Sequence, residues 1–111
     1  MDIEFKTNRL AKIFNSEDQL YKAYGKKTGA IIMRRLILLL AAGTLEDVPH
    51  TPPTRRHQLS GARKGEYAID VGKKDRLIFK PAHNPLPLKE DGGLDLKRVT
   101  KIIILGVEDY H

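Results

Sequence analysis

The sequence predicts an α+β fold: an N-terminal strand, two or three helices, then a meander of antiparallel strands. Three observations carry this. Asp2–Lys6 alternates polar and apolar residues, Ser16–Leu40 repeats apolar residues at helical spacing, and beyond Arg55 the period returns to two. Helices and strands therefore fall in separate blocks, the order expected when helices pack on an antiparallel sheet.

Ile3 and Phe5 alternate with Asp2, Glu4 and Lys6, as in a short strand. Asn8 is placed to cap a short helix carrying Leu10, Ala11, Ile13 and Phe14. Ser16-Glu17-Asp18-Gln19 has the form of a capping box. After it, Leu20, Tyr24, Ile31 and Leu38 lie near one stripe, widened by Ile32, Leu36, Leu39 and Leu40. Gly25 and Gly29 each weaken a helix by about 1 kcal/mol relative to Ala. The expectation is one helix with a soft point, or two helices meeting at Gly25–Gly29, with Gly43 in the place of a terminating C′ glycine.

Thr44–Thr54 holds Pro49, Pro52 and Pro53 and reads as a connector. Arg56–Leu59 is a candidate short strand, and Ser60–Gly65 a turn. Glu66–Val71 and Arg76–Lys80 alternate around Gly72-Lys73-Lys74-Asp75, the pattern of a β-hairpin. Tyr67 falls on the same side as Ile69 and reads as core. Pro81–Lys97 is a surface excursion expected to be mobile. Val99–Val107 is rich in β-branched residues and reads as a mostly buried strand.

At 111 residues the chain fits one domain, residues 1–111. It has no cysteine, which excludes disulfides, thiolate nucleophiles and Cys-ligated metal centres. Its greasiest stretch, Ile31–Ala42, is interrupted by Arg34 and Arg35 and falls short of the roughly 20 residues a membrane span needs. A soluble, cytoplasmic protein without membrane contact is expected. The net charge is +6, and residues 55–80, with eight basic and three acidic side chains, hold +5 of it. Arg55, Arg56, Arg63, Lys64, Lys73 and Lys74 are thereby candidate contacts to a polyanion such as RNA. The competing reading is that turn residues are exposed and hence charged. Lys26, Lys27, Arg34 and Arg35 read as a solvated helix face.

No phosphate-binding glycine loop, zinc-binding His-Glu-x-x-His or Gly-x-Ser-x-Gly elbow occurs. His50, His57, His83 and His111 are too dispersed to suggest a metal site, and no cofactor is expected. The C-terminal Asp109-Tyr110-His111 follows a predicted strand with a carboxylate, a phenol and an imidazole, types suited to proton transfer. A solvated chain end is the ordinary alternative. Arg76 alone would suit a surface salt bridge, and His57 reads as structural.

Arg56-His57-Gln58-Leu59-Ser60-Gly61, Lys64-Gly65-Glu66-Tyr67-Ala68-Ile69-Asp70-Val71, Arg76-Leu77-Ile78-Phe79 and Asp109-Tyr110-His111 together resemble the HigB-type toxins. These belong to the RelE/ParE superfamily of type II toxin–antitoxin systems, the plasmid-maintenance killer proteins. The resemblance extends over nearly the whole chain. It implies a microbial ribonuclease-like fold and a ribosome-dependent endoribonuclease that cleaves mRNA and stops translation. It assigns His111 as general acid or base, Asp109 as its partner, Tyr110 as a stacking or positioning group, and Arg76 as the phosphate-binding arginine. It also implies a cognate helix-turn-helix antitoxin of the HigA kind. Ser60 and Gly72 stand where some ribonuclease members carry Lys and Arg. A non-catalytic toxin that binds a protein target, or one that only binds its antitoxin, is the alternative. A plain nucleic-acid-binding module is a third reading, disfavoured by the low aromatic content of 6%.

Overall fold

The computed structural model describes residues 1–109. Strand β1 (Asp2–Phe5) leads into helices α1 (Asn8–Phe14), α2 (Glu17–Tyr24) and α3 (Lys26–Ala41). Strands β2 (His57–Gln58), β3 (Tyr67–Val71), β4 (Asp75–Pro81) and β5 (Lys101–Asp109) follow. They form one five-stranded sheet in the order β1-β5-β4-β3-β2. From β2 to β5 the neighbours are antiparallel, as the meander predicts. The sheet is nevertheless mixed, because β1 lies parallel to β5 with Ile3 opposite Ile102 and Phe5 opposite Ile104. A parallel pair needs a long crossover, and here the intervening chain supplies it.

The helix boundaries follow local chemistry. Thr7, not Asn8, caps α1, its hydroxyl accepting from the Leu10 N–H at 3.1 Å. Ser16 caps α2 as expected, accepting from the Gln19 N–H at 3.2 Å. Gly25, at φ 85, separates α2 from α3; a left-handed backbone there costs an L-residue with a side chain about 1–2 kcal/mol. Gly29 instead lies within α3 and is buried. A Cβ there would come 2.8 Å from the Tyr21 ring and 3.1 Å from the Leu20 carbonyl oxygen. The missing side chain is what lets α2 and α3 pack closely. Gly43 does not terminate α3. The helix ends at Ala41, with Ala42 in extended backbone, and the Met1 amino group donates to the carbonyls of Leu39 and Leu40 at 3.1 and 3.0 Å and to that of Ala42. A cationic donor there satisfies last-turn carbonyls that have no helical partner.

One face of the sheet packs against the helices. Its core includes Leu20, Ile32, Leu36 and Leu39 from the helices and Ile69, Val71, Leu77 and Phe79 from the strands. Tyr67 is buried and stacks on Phe79 at 6.0 Å, as its alternation predicts. Phe14 bridges Phe5 at 5.5 Å and Tyr24 at 6.4 Å, tying β1 to α1 and α2. The proline-rich connector is less superficial than its composition predicts. Leu45, Val48 and Thr54 in it are buried, and the Leu45 N–H donates to the Val99 carbonyl at 3.0 Å. The excursion 81–97 closes on itself through a Leu88–Leu94 bridge and a Lys89 N–H to Gly93 carbonyl bond of 2.7 Å. Among the described residues no helix is long and apolar enough to cross a membrane.

Candidate active site

The register of the sheet sorts its polar residues between two faces. In a strand, successive side chains point to opposite faces, and residues paired across strands share one. Asp70 on β3 pairs with Arg76 on β4, which pairs with Glu108 on β5. The next row on that face is Ala68, Ile78 and Gly106, with His57 of β2 opposite Ala68. The other face carries Val71, Asp75 and Asp109 in one row and Ile69, Leu77 and Val107 in the next, continuous with the core. A bulge between Ile78 and Phe79 bends β5 at Leu105–Gly106, where Gly106 takes φ 150.

Arg76 and Asp109, grouped by the sequence reading, therefore fall on opposite faces. Arg76 is half-buried beside Glu108, whereas Asp109 is exposed and sits opposite Asp75 across the strand pair. Partial burial pushes the Asp75 carboxyl above its ordinary range, and the neighbouring Asp109 adds to that shift. Tyr110 and His111 lie outside the described residues. Asp109 is the last residue before them and sits one register step from the Arg76–Glu108 pair.

The six candidate RNA contacts divide into two groups. Lys64, Lys73 and Lys74 are exposed and form no ion pair among the described residues. The three arginines have internal partners. Arg56 Nη1 donates to the carbonyls of Leu45 at 2.6 Å, Val48 at 2.9 Å and Glu46 at 3.2 Å, so it pins the connector. Arg55, at φ 48, places Nη1 3.3 Å from Asp70 Oδ2. Arg63 ends the 3-10 turn Gly61–Arg63 and reaches across the sheet. Its Nη1 and Nη2 donate to Glu108 at 2.6 and 2.7 Å, and its Nε donates to Glu66 at 2.9 Å. These bonds raise the guanidinium pKa and hold the Glu108 carboxyl below its ordinary range. The charge surplus of residues 55–80 is thus only partly presented to a ligand.

Sequence reading missed Glu66, Asp70, Glu108 and Arg35. Arg35 is not a solvated cation, since its Nε donates to the Asp70 carbonyl at 2.8 Å and burial lowers its pKa. A four-residue turn over 72–75 would set Val71 opposite Arg76; Asp75 instead joins β4 and pairs with Val71, which brings Asp70 opposite Arg76. The Arg63–Glu108 pair spans 45 positions and leaves no local signal. His57 holds an Nδ1 contact of 2.7 Å to the Arg55 carbonyl. A cavity of about 800 Å³ lies at the other end of β4 from Arg76, between Lys80, Tyr67 and the 81–97 excursion. What the Arg76 end offers is a face of exchangeable ion pairs with exposed Lys73 and Lys74 on the adjoining turn, an arrangement able to receive a phosphate backbone, whereas Lys64 lines the cavity.

No protein-family model and no curated protein match the chain. Solved structures do. A YoeB/ParE toxin from Agrobacterium tumefaciens superposes with a TM-score of 0.58 at 8% identity, over 100% of both chains. A YoeB–YefM complex from Staphylococcus aureus gives 0.54 at 14% identity, over 100% of this chain and 97% of the other. A YoeB dimer from the same organism gives 0.53 at 16%, with the same coverage. At these identities the likeness establishes a shared α+β fold.

Proposed function

We propose that residues 1–111 form one toxin domain of a type II toxin–antitoxin pair, of the HigB type within the RelE/ParE superfamily, and that it cleaves mRNA on the ribosome. The observation that supports this most is the placement of β5. It runs beside β4, with Glu108 opposite Arg76 and its last described residue, Asp109, one register step on, in the fold seen in the YoeB and YoeB/ParE toxins. The chain continues from there into Tyr110 and His111.

RNA cleavage of this kind needs no water. The 2′-hydroxyl attacks its own 3′-phosphate, giving a pentacoordinate phosphorane whose charge must be neutralised, and the 5′-oxygen leaves as it takes a proton. Arg76 supplies a planar two-pronged donor for the non-bridging oxygens. His111 is the proton-transfer group, since imidazole titrates near neutrality and can accept or return a proton there. Tyr110 stacks on or positions a base. Asp109 assists His111 from the strand end, although its neighbour across the strand pair is Asp75. Lys64, Lys73 and Lys74 contact the flanking phosphates, and ribosome and mRNA are the working partners. Control falls to a helix-turn-helix antitoxin of the HigA kind. One of the solved structures with this fold is a YoeB–YefM complex.

The second reading is a toxin that acts by binding a protein target, or a relative that only binds its antitoxin. Ser60 and Gly72 in place of cations favour it, as does the neutralisation of Arg63 by two glutamates. The test is induced expression in a bacterium with mapping of mRNA 5′ ends. Growth arrest with new ends in translated messages, lost in Arg76→Ala and His111→Ala, supports cleavage. Arrest with intact messages, or with DNA damage, supports the second reading.

A further inference from the structure

We propose that Arg63 is a second phosphate-binding arginine, held by Glu108 and Glu66 as a latch that an incoming RNA phosphate displaces. The proposal rests on the reading of this face as the RNA site and adds how the site is kept closed to other anions.

Four observations carry it. First, Arg63 lies where a substrate phosphate is needed. It grips Glu108, which is the register partner of Arg76 on the same face. Second, its geometry is that of a guanidinium bound to an anion. Two parallel bonds of 2.6 and 2.7 Å go to the two oxygens of one carboxylate, the same fork that a phosphate accepts. Third, the pair is exchangeable. The side chains of Arg63 and Glu108 are 37% and 42% exposed, and ion pairs of that exposure hold weakly. Fourth, the turn that carries Arg63 has open space beside both of its flanking glycines. Arg63 sits between Gly61 at φ 65 and Gly65 at φ 99, and no atom outside the immediate chain lies within 4 Å of a Cβ built at either glycine. Arg56 differs in all these respects, being bonded to backbone carbonyls.

The latch has a selective consequence. Displacing two carboxylates from one guanidinium raises the threshold for binding. A single small anion gains one contact, whereas an RNA strand also engages Arg76 and the lysines. Glu108 and Glu66 therefore favour polyanions over free phosphate or nucleotides.

The experiment measures binding of a short single-stranded RNA with 2′-O-methyl riboses, which lacks the nucleophile and stays intact, as a function of salt. Arg63→Ala should weaken binding and reduce the slope of log K against log salt by about 0.7, the value for one contact on a single strand. Glu108→Gln should tighten binding about fivefold, the worth of an exposed pair. Glu108→Asp keeps the charge but withdraws the carboxylate by one methylene, and should also tighten it. Neither gain should survive in the Arg63→Ala background. A gain that persists there, or that appears in Glu108→Gln alone, would reduce Glu108 to a general negative charge and overturn the latch. Unchanged affinity in both Glu108 variants, with thermal melts confirming that they are folded, overturns it as well. Arg76→Ala separates this from the reading beneath it. If it weakens binding while Arg63 and Glu108 variants are silent, only the latch fails. If Arg76→Ala and Arg63→Ala both bind like the parent, RNA does not use this face.

Discussion

Replacing Arg56 by Ala should cost stability and leave the electrostatics of RNA binding intact, which would separate the structural arginine from the polyanion contacts. Arg56 Nη1 meets the Leu45 and Val48 carbonyls at 2.6 and 2.9 Å in partly buried surroundings, with a longer, exposed contact to Glu46 at 3.2 Å. A hydrogen bond to a charged group contributes about 1.5–3 kcal/mol, and a carbonyl left without a partner adds a desolvation cost. Water can reach part of this site, so the two short bonds together imply a loss of about 3 kcal/mol rather than the full sum. For a domain of this size that corresponds to a Tm lower by roughly 10 °C. Arg56→Lys should recover less than half, since a single ammonium cannot reproduce the planar donor. The assay is urea unfolding, read as a fall in midpoint at constant m-value, paired with the salt dependence of RNA binding. A loss below about 0.5 kcal/mol, within the ordinary range for surface substitutions, together with a shallower salt slope, would make Arg56 an RNA contact and refute the structural assignment.

Three further outcomes follow from the packing and the titrating groups. Gly29→Ala should destabilise the protein by about 1 kcal/mol despite better helix propensity, because overpacking costs about 1–3 kcal/mol against a propensity gain of about 1; the Tyr21 ring can swing away but the Leu20 carbonyl at 3.1 Å cannot. A rise in Tm would show that α2 and α3 yield easily. Asp75→Asn should stabilise the protein at neutral pH by about 0.2–1 kcal/mol, the scale of a like-charge cross-strand pair. Asp75 has a raised folded-state pKa, so its favourable contribution is complete below the ordinary aspartate range and is lost as pH rises through the raised value; Tm measured against pH should show the variant's advantage vanish in acid, and an advantage independent of pH would remove the carboxyl pair as the cause. Glu108 has the opposite sign, since Arg63 depresses its pKa. Its contribution is present above the ordinary glutamate range and is lost as pH falls through the depressed value, so Glu108→Gln should be less acid-sensitive than the parent, and parallel Tm–pH curves would contradict this.

Particular residues show where sequence reading succeeds. Ser16 caps its helix because capping is a contact with an N–H three residues away. The β3–β4 hairpin is legible because both strands alternate and Gly72, at φ 67, admits the turn. Gly25 and Gly29 read alike as helix-weakening, yet one breaks the helix and the other lets a neighbour approach. The difference lies in what stands opposite each, open space or the Leu20–Tyr21 backbone and ring. Gly43 failed as a terminator because the carbonyls it would have served are met by an amino group about forty residues away in sequence. The site divides in the same way. Arg76 and the lysines were identifiable as cations, but not the carboxylates facing them.

By itself the sequence determined the α+β class, the order of elements, the existence of the β3–β4 hairpin and the concentration of positive charge in residues 55–80. Each of these depends on neighbours within a few positions, where backbone preference and periodicity act. Only the tertiary structure decided that β1 closes the sheet in parallel beside β5, that Arg76 and Asp109 part to opposite faces, and that Arg56 and Arg63 serve the protein before any ligand. The physical reason is that a charge has no role until its partner is fixed, and these partners meet only when distant segments close on one sheet.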